Sequence, residues 1–294
     1  MISLIYDCDN TMGVPGRDVD DGLTLLYLLG CPEVELLGVT CAFGNDTQEV
    51  VYRTTSGLLR AWGRADIPVL RGAEGPADRA SPAADFLADA ARRRPGELAV
   101  LATGSLSNLL GAEEADPGFF ARVRTFALMG GVTGPLVVGE RPMAELNFSC
   151  DPQAALAVLS QGRRVAVATA QNCLDAYCPM AECTARLAES GSPAAAFLQG
   201  ALSHWFGENL RQRQLAGFVN WDTVAAALLV HPELFTLGES VITPSAASLA
   251  HGELLGDGPA LPVRLPRICC PEAYRRHVYD TILSAPIAWR PELL

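Results

Sequence analysis

Ile2-Ser3-Leu4-Ile5-Tyr6-Asp7-Cys8-Asp9-Asn10-Thr11, followed across a Gly/Pro loop by Asp18-Val19-Asp20-Asp21-Gly22, decides how the chain folds. The apolar run Ile2–Tyr6 reads as a buried strand that ends abruptly in acid, and a helix-period segment follows near Gly22–Leu29. The same alternation continues downstream. Short apolar runs at Val34–Thr40, Ile67–Leu70, Leu98–Ala102, Arg124–Met129 and Arg164–Ala170 are bounded by Gly, Pro or Asp. Helical stretches near Asp46–Ala61, Ala83–Arg93, Leu106–Ala112 and Pro152–Leu159 separate them. Strands alternating with helices predict an α/β fold whose central, mainly parallel sheet is covered on both faces. After residue 180 the pattern turns helical, at Ala181–Glu189, Pro193–Arg213 and Trp221–Leu229. Weaker strands near Ser240–Thr243 and Pro262–Leu265 and a closing helix from Pro271 complete the chain. No repeat or linker divides it, so residues 1–294 read as a single domain with a Rossmann-like, mixed sheet.

Composition narrows the partners. Asp and Glu outnumber Lys and Arg 33 to 22, for a net charge of −11, and every basic residue of the 22 is arginine. So acidic a surface repels phosphate backbones, which argues against nucleic acid or an anionic membrane and for a small neutral ligand or a bound cation. No apolar run approaches the roughly 20 residues that span a bilayer. The N-terminus lacks a basic start and meets acid too early for a signal peptide. Nine cysteines, none in C-x-x-C spacing, read as free and mostly buried thiols of a cytoplasmic protein.

In open α/β sheets ligands bind beyond the carboxyl ends of the strands. The first strand ends in that position with Asp7, Asp9, Asp18, Asp20 and Asp21, five carboxylates within 15 residues. Acids at a helix start favour its dipole, which accounts for Asp20 and Asp21. It does not account for Asp7 and Asp9, whereas a hard cation taking oxygen ligands accounts for all five.

Two families share such a cluster. Asp7, Asp9 and Thr11 match the D-x-D-x-T of haloacid-dehalogenase phosphatases, which would need a phosphorylated substrate and Mg²⁺. Those enzymes nearly always hold the phosphoryl group with a lysine, and this chain has none. The nucleoside hydrolases match along the whole order of segments. Asp7-Cys8-Asp9 with Asp20-Asp21-Gly22 resembles their opening signature. Leu36-Leu37-Gly38-Val39-Thr40 with Gly44-Asn45-Asp46-Thr47 is similar to their second strand and asparagine turn. Ile67-Pro68-Val69-Leu70-Arg71-Gly72-Ala73 is similar to their third strand. Thr103-Gly104-Ser105-Leu106-Ser107-Asn108, Leu128-Met129-Gly130-Gly131 and Ala144-Glu145-Leu146-Asn147 with Asp151-Pro152-Gln153-Ala154-Ala155 follow, and Trp221-Asp222 comes last. The chain therefore resembles the inosine-uridine preferring nucleoside hydrolases, from residue 1 to about 231.

That resemblance implies hydrolysis of a ribonucleoside to free base and ribose through an oxocarbenium-like transition state. By the same resemblance Asp9, Asp21, Asp222 and the backbone carbonyl of Leu128 would bind Ca²⁺, and Asp9 would take the proton of an activated water. Asp20 and Asn45 would hold the ribose 2′- and 3′-hydroxyls, and Glu145 and Asn147 the remaining hydroxyls. The Trp-Asp pair resembles the purine-preferring members, in which an indole stacks on the base. The resemblance further implies a homo-oligomer. A family-like protein that binds a nucleoside or sugar without turnover is the competing reading.

Read without the family, several of these residues have plainer uses. Asn45 and Asp222 could be helix caps, and Trp221 a core aromatic. Glu145 and Asn147, two apart, face one pocket only if their segment is extended. His204 and Trp205 either pack or help cover the base. The stretch Asn10 to Val19 is longer than the family's turn, which leaves Asp18 or Asp20 as the ribose ligand, with adjacency to Asp21 favouring Asp20. Gly139-Glu140-Arg141-Pro142-Met143 replaces the family's glycine-asparagine loop, and Gln171-Asn172-Cys173-Leu174-Asp175 also departs.

Overall fold

The computed structural model describes residues 1–236 and 238–294. Strands β1 (Ile2–Cys8), β2 (Val34–Cys41), β3 (Val69–Arg71), β4 (Ala99–Ala102) and β5 (Thr125–Met129) alternate with helices α1 (Asp20–Gly30), α2 (Gln48–Ala61), α3 (Pro82–Arg93) and α4 (Ser107–Ala115). One sheet takes eight strands in the order Glu239–Ile242, Leu261–Arg264, Val165–Ala168, β5, β4, β1, β2, β3. All neighbours run parallel except the outermost pair, where Glu239–Ile242 runs antiparallel to Leu261–Arg264. The α/β architecture with a mainly parallel, mixed sheet is thus the one the apolar runs predict.

Chemistry at the helix starts sets their boundaries. Thr47, Ser81, Asp151 and Ser192 each accept a hydrogen bond from the backbone N–H three residues on, and Pro82, Pro152 and Pro193 follow three of them at the first helical position. The expected helix from Asp46 therefore begins at Gln48, behind the Thr47 cap. The central strand β4 is apolar and buried at all four positions. Two clusters of buried side chains form the core, one built around Tyr6, Tyr27 and Trp62 and the other around Phe119, Phe126 and Phe148. Among the described residues, no helix is long and apolar enough to cross a membrane.

The register aligns the strand ends that matter. Asp7 pairs with Ala102 across β1 and β4, Ala102 with Leu128 across β4 and β5, and Cys8 with Cys41 across β1 and β2. Strand order reverses direction beside β1, so the segments after β1 and β4 open onto the crevice where a doubly wound sheet receives its ligand. A second polar anchor lies beside this crevice. Arg79 forks onto Asp151 at 2.8 and 2.9 Å, and Asp151 also accepts from Ser107 at 2.7 Å and from Ala154 N. The D-P-Q-A-A segment is therefore an N-cap tied by an ion pair to the loop before α3.

Candidate active site

A cleft of about 530 Å³, counting its open mouth, lies at the strand ends and is lined by Asp18, Asp20, Asn45, Thr103, Glu145, Asn147, Trp221 and Asp222 among others. Six of the residues predicted from sequence meet there. Asp9 and Asp21 lie directly behind them, each 1% exposed and hydrogen-bonded to cleft residues. Asp9 accepts from the backbone N–H of Asn45 at 2.7 Å and from its Nδ2 at 3.3 Å. Asp21 accepts from Thr103 Oγ1 at 2.8 Å and from the Tyr6 hydroxyl at 3.1 Å. Leu128 is fully buried within β5.

Asn45 is not a helix cap, since Thr47 has that role. Its Nδ2 reaches Asp18 at 3.0 Å and Asp21 at 3.5 Å as well as Asp9, so one amide ties three carboxylates together. The chain can come this close because residue 44 is glycine. A Cβ there would collide with Asp9 Oδ2. Asp222 is no cap either, occupying the first helical position of Asp222–Val230, where its neighbour Trp221 is the cap residue.

Five carboxylates share this space, those of Asp9, Asp18, Asp20, Asp21 and Asp222. Burial raises all five above the ordinary carboxylate range; the charge of the others adds to it at Asp9, Asp18, Asp20 and Asp222, while at Asp21 hydrogen bonds from Thr103 and Tyr6 oppose it. Asp18 is pushed up to about 7. Arg17, whose charge opposes the shift of Asp18, is bound to Asp46 at the surface. Asp20 Oδ1 is buried without any hydrogen-bond partner. An orphaned carboxylate oxygen amid all-oxygen donors fits a hard divalent cation. Asp18, Asp20 and Asp21 each offer an oxygen, all within 4.8 Å of one another.

Asp7 lies apart. Alternation along β1 sends Tyr6 to the sheet face that carries Asp21 and Asp7 to the other, where Asn108 Nδ2 donates to it at 2.9 Å. Thus held and 1% exposed, Asp7 is poorly disposed as the nucleophile a dehalogenase-type phosphatase would need. Burial pushes its carboxyl up to about 7, with hydrogen bonds from Asn108 and Thr40 opposing. An unfolded Asp releases its proton near pH 3.9. Between about 4 and 7 the folded state keeps a proton that the unfolded chain gives up, so this contribution favours folding below about pH 4 and is lost as pH rises through 7. Urea unfolding of the cation-free protein should therefore show stability falling with pH over that window. Asp7→Asn should reduce the slope by up to about 1.4 kcal/mol per pH unit. Equal slopes in both proteins would show that Asp7 ionises normally in the folded state.

The other wall departs from expectation. Asn147 is not on an extended segment but opens the short helix Asn147–Cys150, and its Nδ2 donates to the carbonyls of Thr103 (2.8 Å) and Met129 (3.1 Å). Glu145 accepts from the backbone N–H groups of Gly131 (3.0 Å), Phe148 (2.8 Å) and Ser149 (2.9 Å). Its carboxylate thus caps that helix and ties it to the β5 exit, where Gly131 takes φ 72°. The altered loop forms a two-residue hairpin in which Val137 and Val138 pair with Pro142 and Arg141. It brings Leu136 and Met143 together on the cleft wall.

From the sequence, Tyr6 and Thr103 had no assigned part in the site, and Asp18 stood behind Asp20 as the ribose ligand. Asp18 was signalled by the acidic run it opens, and its hydroxyl partner is Thr11 at 3.2 Å. Thr103 was signalled only by its place at the end of β4. His204 and Trp205 do not reach the cleft. They line a separate pocket with Met12 to Arg17 of the long first loop, and Trp205 packs against the core.

The sequence model of the inosine-uridine preferring nucleoside hydrolases matches residues 4–264. A probable uridine nucleosidase of Oryza sativa subsp. japonica is 28% identical over 283 residues, covering 86% of this chain and 84% of that protein. A plant nucleoside hydrolase superposes with a TM-score of 0.81 at 22% identity, over 98% of this chain and 99% of the other. A purine-preferring ribonucleoside hydrolase from Gardnerella vaginalis gives 0.80 at 21% identity, over 97% and 99%.

Proposed function

The chain belongs to the inosine-uridine preferring nucleoside hydrolase family, hydrolases of N-glycosyl bonds, and from that premise we propose that it cleaves ribonucleosides to base and ribose with Ca²⁺ at the aspartate cluster and a lean toward purines. The observation that carries the reading is the buried, mutually raised set of carboxylates with its unpartnered Asp20 oxygen. Asp9, Asp21, Asp222 and the Leu128 carbonyl would hold the cation by family resemblance, with Asp18 and Asp20 adding the oxygens that lie within 4.8 Å of that of Asp21. When bound, the cation supplies charge neutralisation and activates water.

The chain's own residues supply the rest. Asp9, oriented by both nitrogens of Asn45, accepts the proton of the attacking water as general base. Asp20 and Asn45 hold the 2′- and 3′-hydroxyls, which fixes the sugar against the carboxylates. The negative cluster then stabilises the positive charge that develops on the ribosyl ring. Asn147 contributes from the opposite wall. Glu145, already spent on three backbone N–H groups, offers the sugar only its remaining lone pairs. Leu136, Met143, Leu146 and Trp221 give the base an apolar, water-poor seat, and the Trp221 indole stacks on it. Free thiols suit the reducing cytoplasm, and a homo-oligomer is carried over from the family.

A second reading, a preference for uridine, is favoured by the name of the rice relative. Ribose release from inosine, guanosine, uridine and cytidine decides between them. The purine reading expects higher kcat/KM for inosine and guanosine, and expects Trp221→Ala to erase that advantage. A ranking led by uridine and indifferent to Trp221→Ala overturns the lean.

Thr103→Val tests the support of the cluster. It removes the 2.8 Å hydrogen bond to Asp21 without changing volume much. Calcium affinity measured by titration calorimetry should fall about 10- to 100-fold. Unchanged affinity would mean that Asp21 is held without Thr103.

A further inference from the structure

α1 and the helix Asp222–Val230 lie side by side, with Thr24 Oγ1 3.1 Å from Thr223 Oγ1, and their first turns carry Asp20, Asp21 and Asp222 into the cleft. Their other ends meet as well. Cys31 caps α1, His231 caps Asp222–Val230, and Glu33 stands in the turn that leaves α1. The cysteine sulfur, a carboxylate oxygen of Glu33 and a ring nitrogen of His231 all lie within 4.8 Å of one another. The surroundings are arranged around these donors. Glu233 Oε1 is 3.0 Å from His231 Nδ1, the carboxylate–imidazole contact that fixes a ring's tautomer. The His277 ring centroid is 4.4 Å from that of His231, and the Tyr27 hydroxyl is 3.0 Å from His277 Nε2. Two of the chain's four histidines and a buried cysteine thus gather at one spot, where two helix C-termini direct negative partial charge.

We propose that Cys31, Glu33 and His231 form a second metal site, selective for a thiolate- and imidazole-seeking divalent cation of the zinc class, with His277 as the adjoining imidazole. Sulfur and nitrogen donors separate it chemically from the all-oxygen cluster at the opposite helix ends. Binding would deprotonate Cys31 and clamp the C-terminal ends of the two helices whose N-terminal ends present the catalytic carboxylates. The proposal does not depend on the calcium reading of the cleft.

Co²⁺, added to the full chain in excess Ca²⁺, reports the site through thiolate-to-cobalt charge-transfer absorption. One equivalent per chain is expected to give that band. Cys31→Ser should abolish it, and His231→Ala, a half-buried position that should leave the fold intact, should weaken the affinity by about tenfold or more. Asp21→Ala should leave it unchanged, which separates this site from the cleft. Cys269→Ser with Cys270→Ser, the exposed neighbouring thiols, should also leave it unchanged. A wild-type spectrum without the band overturns the proposal. So does a band that persists in Cys31→Ser, or one that disappears with Cys269 and Cys270.

Discussion

Asp9→Asn is expected to lower kcat by about 10²- to 10⁴-fold while KM changes little and the fold survives. Asparagine is nearly isosteric and can still accept from the Asn45 N–H that now lies 2.7 Å from Asp9. It cannot take a proton from water. The loss should therefore fall on the chemical step, and the base-dependent limb of the pH profile should vanish with it. The carboxylate is also in place before substrate arrives. Asn45 spans it twice. Steady-state ribose release across pH checks this. A variant retaining half the wild-type rate would remove Asp9 from the role of base and leave Asp18 or Asp222 as the nearest replacements.

The largest effect on stability is expected at Arg79. Its guanidinium is 11% exposed and its partner Asp151 1%, and the two are joined by a bidentate contact. Burial raises the Asp151 carboxyl, but the hydrogen bonds from Arg79 and Ser107 and from Ala154 N outweigh it and hold the group below its ordinary range. Breaking a buried pair from one side strands the other charge, so Arg79→Met should cost about 3–5 kcal/mol in urea unfolding at neutral pH. Adding Asp151→Asn should recover part of that loss, because an amide tolerates burial without a counter-charge and still accepts from Ala154 N at the helix start. Since the Asp151 pKa is depressed on folding, the pair's contribution is present above about pH 4 and is lost as pH falls through the folded-state value. A single-variant cost below about 1 kcal/mol would place the pair with surface ion pairs of little weight.

Much of this was legible in the chain itself. Strands β1 to β5 fall where short apolar runs are bounded by Gly, Pro or Asp, because the middle of a strand covered on both faces is mostly apolar. The acids at Asp9, Asp20 and Asp21 stood out for the same reason. What could not be read were partners fixed only by the fold. Arg79 and Asp151 are 72 positions apart, and nothing local marks Arg79 as buried. Thr103 had no assigned role until β4 was set beside β1 and its hydroxyl met Asp21. Glu145 and Asn147 were seen as a polar pair, yet alternation along an extended segment was the wrong geometry. The chain coils at Asn147, and the Glu145 carboxylate is drawn back to cap the new helix. Asp18 was set behind Asp20 by adjacency alone, whereas the long first loop folds back through Thr11 and carries it into the cluster.

The most direct test of the central claim is the release of free ribose and free base from a common ribonucleoside, followed with and without a calcium chelator and in Asp21→Ala. Equal amounts of both products are expected, with loss of release on chelation, recovery on returning Ca²⁺, and loss in the variant together with its calcium binding. A folded, calcium-loaded wild-type protein that binds nucleosides and releases no ribose, or one that turns over equally well with the chelator present, would contradict it.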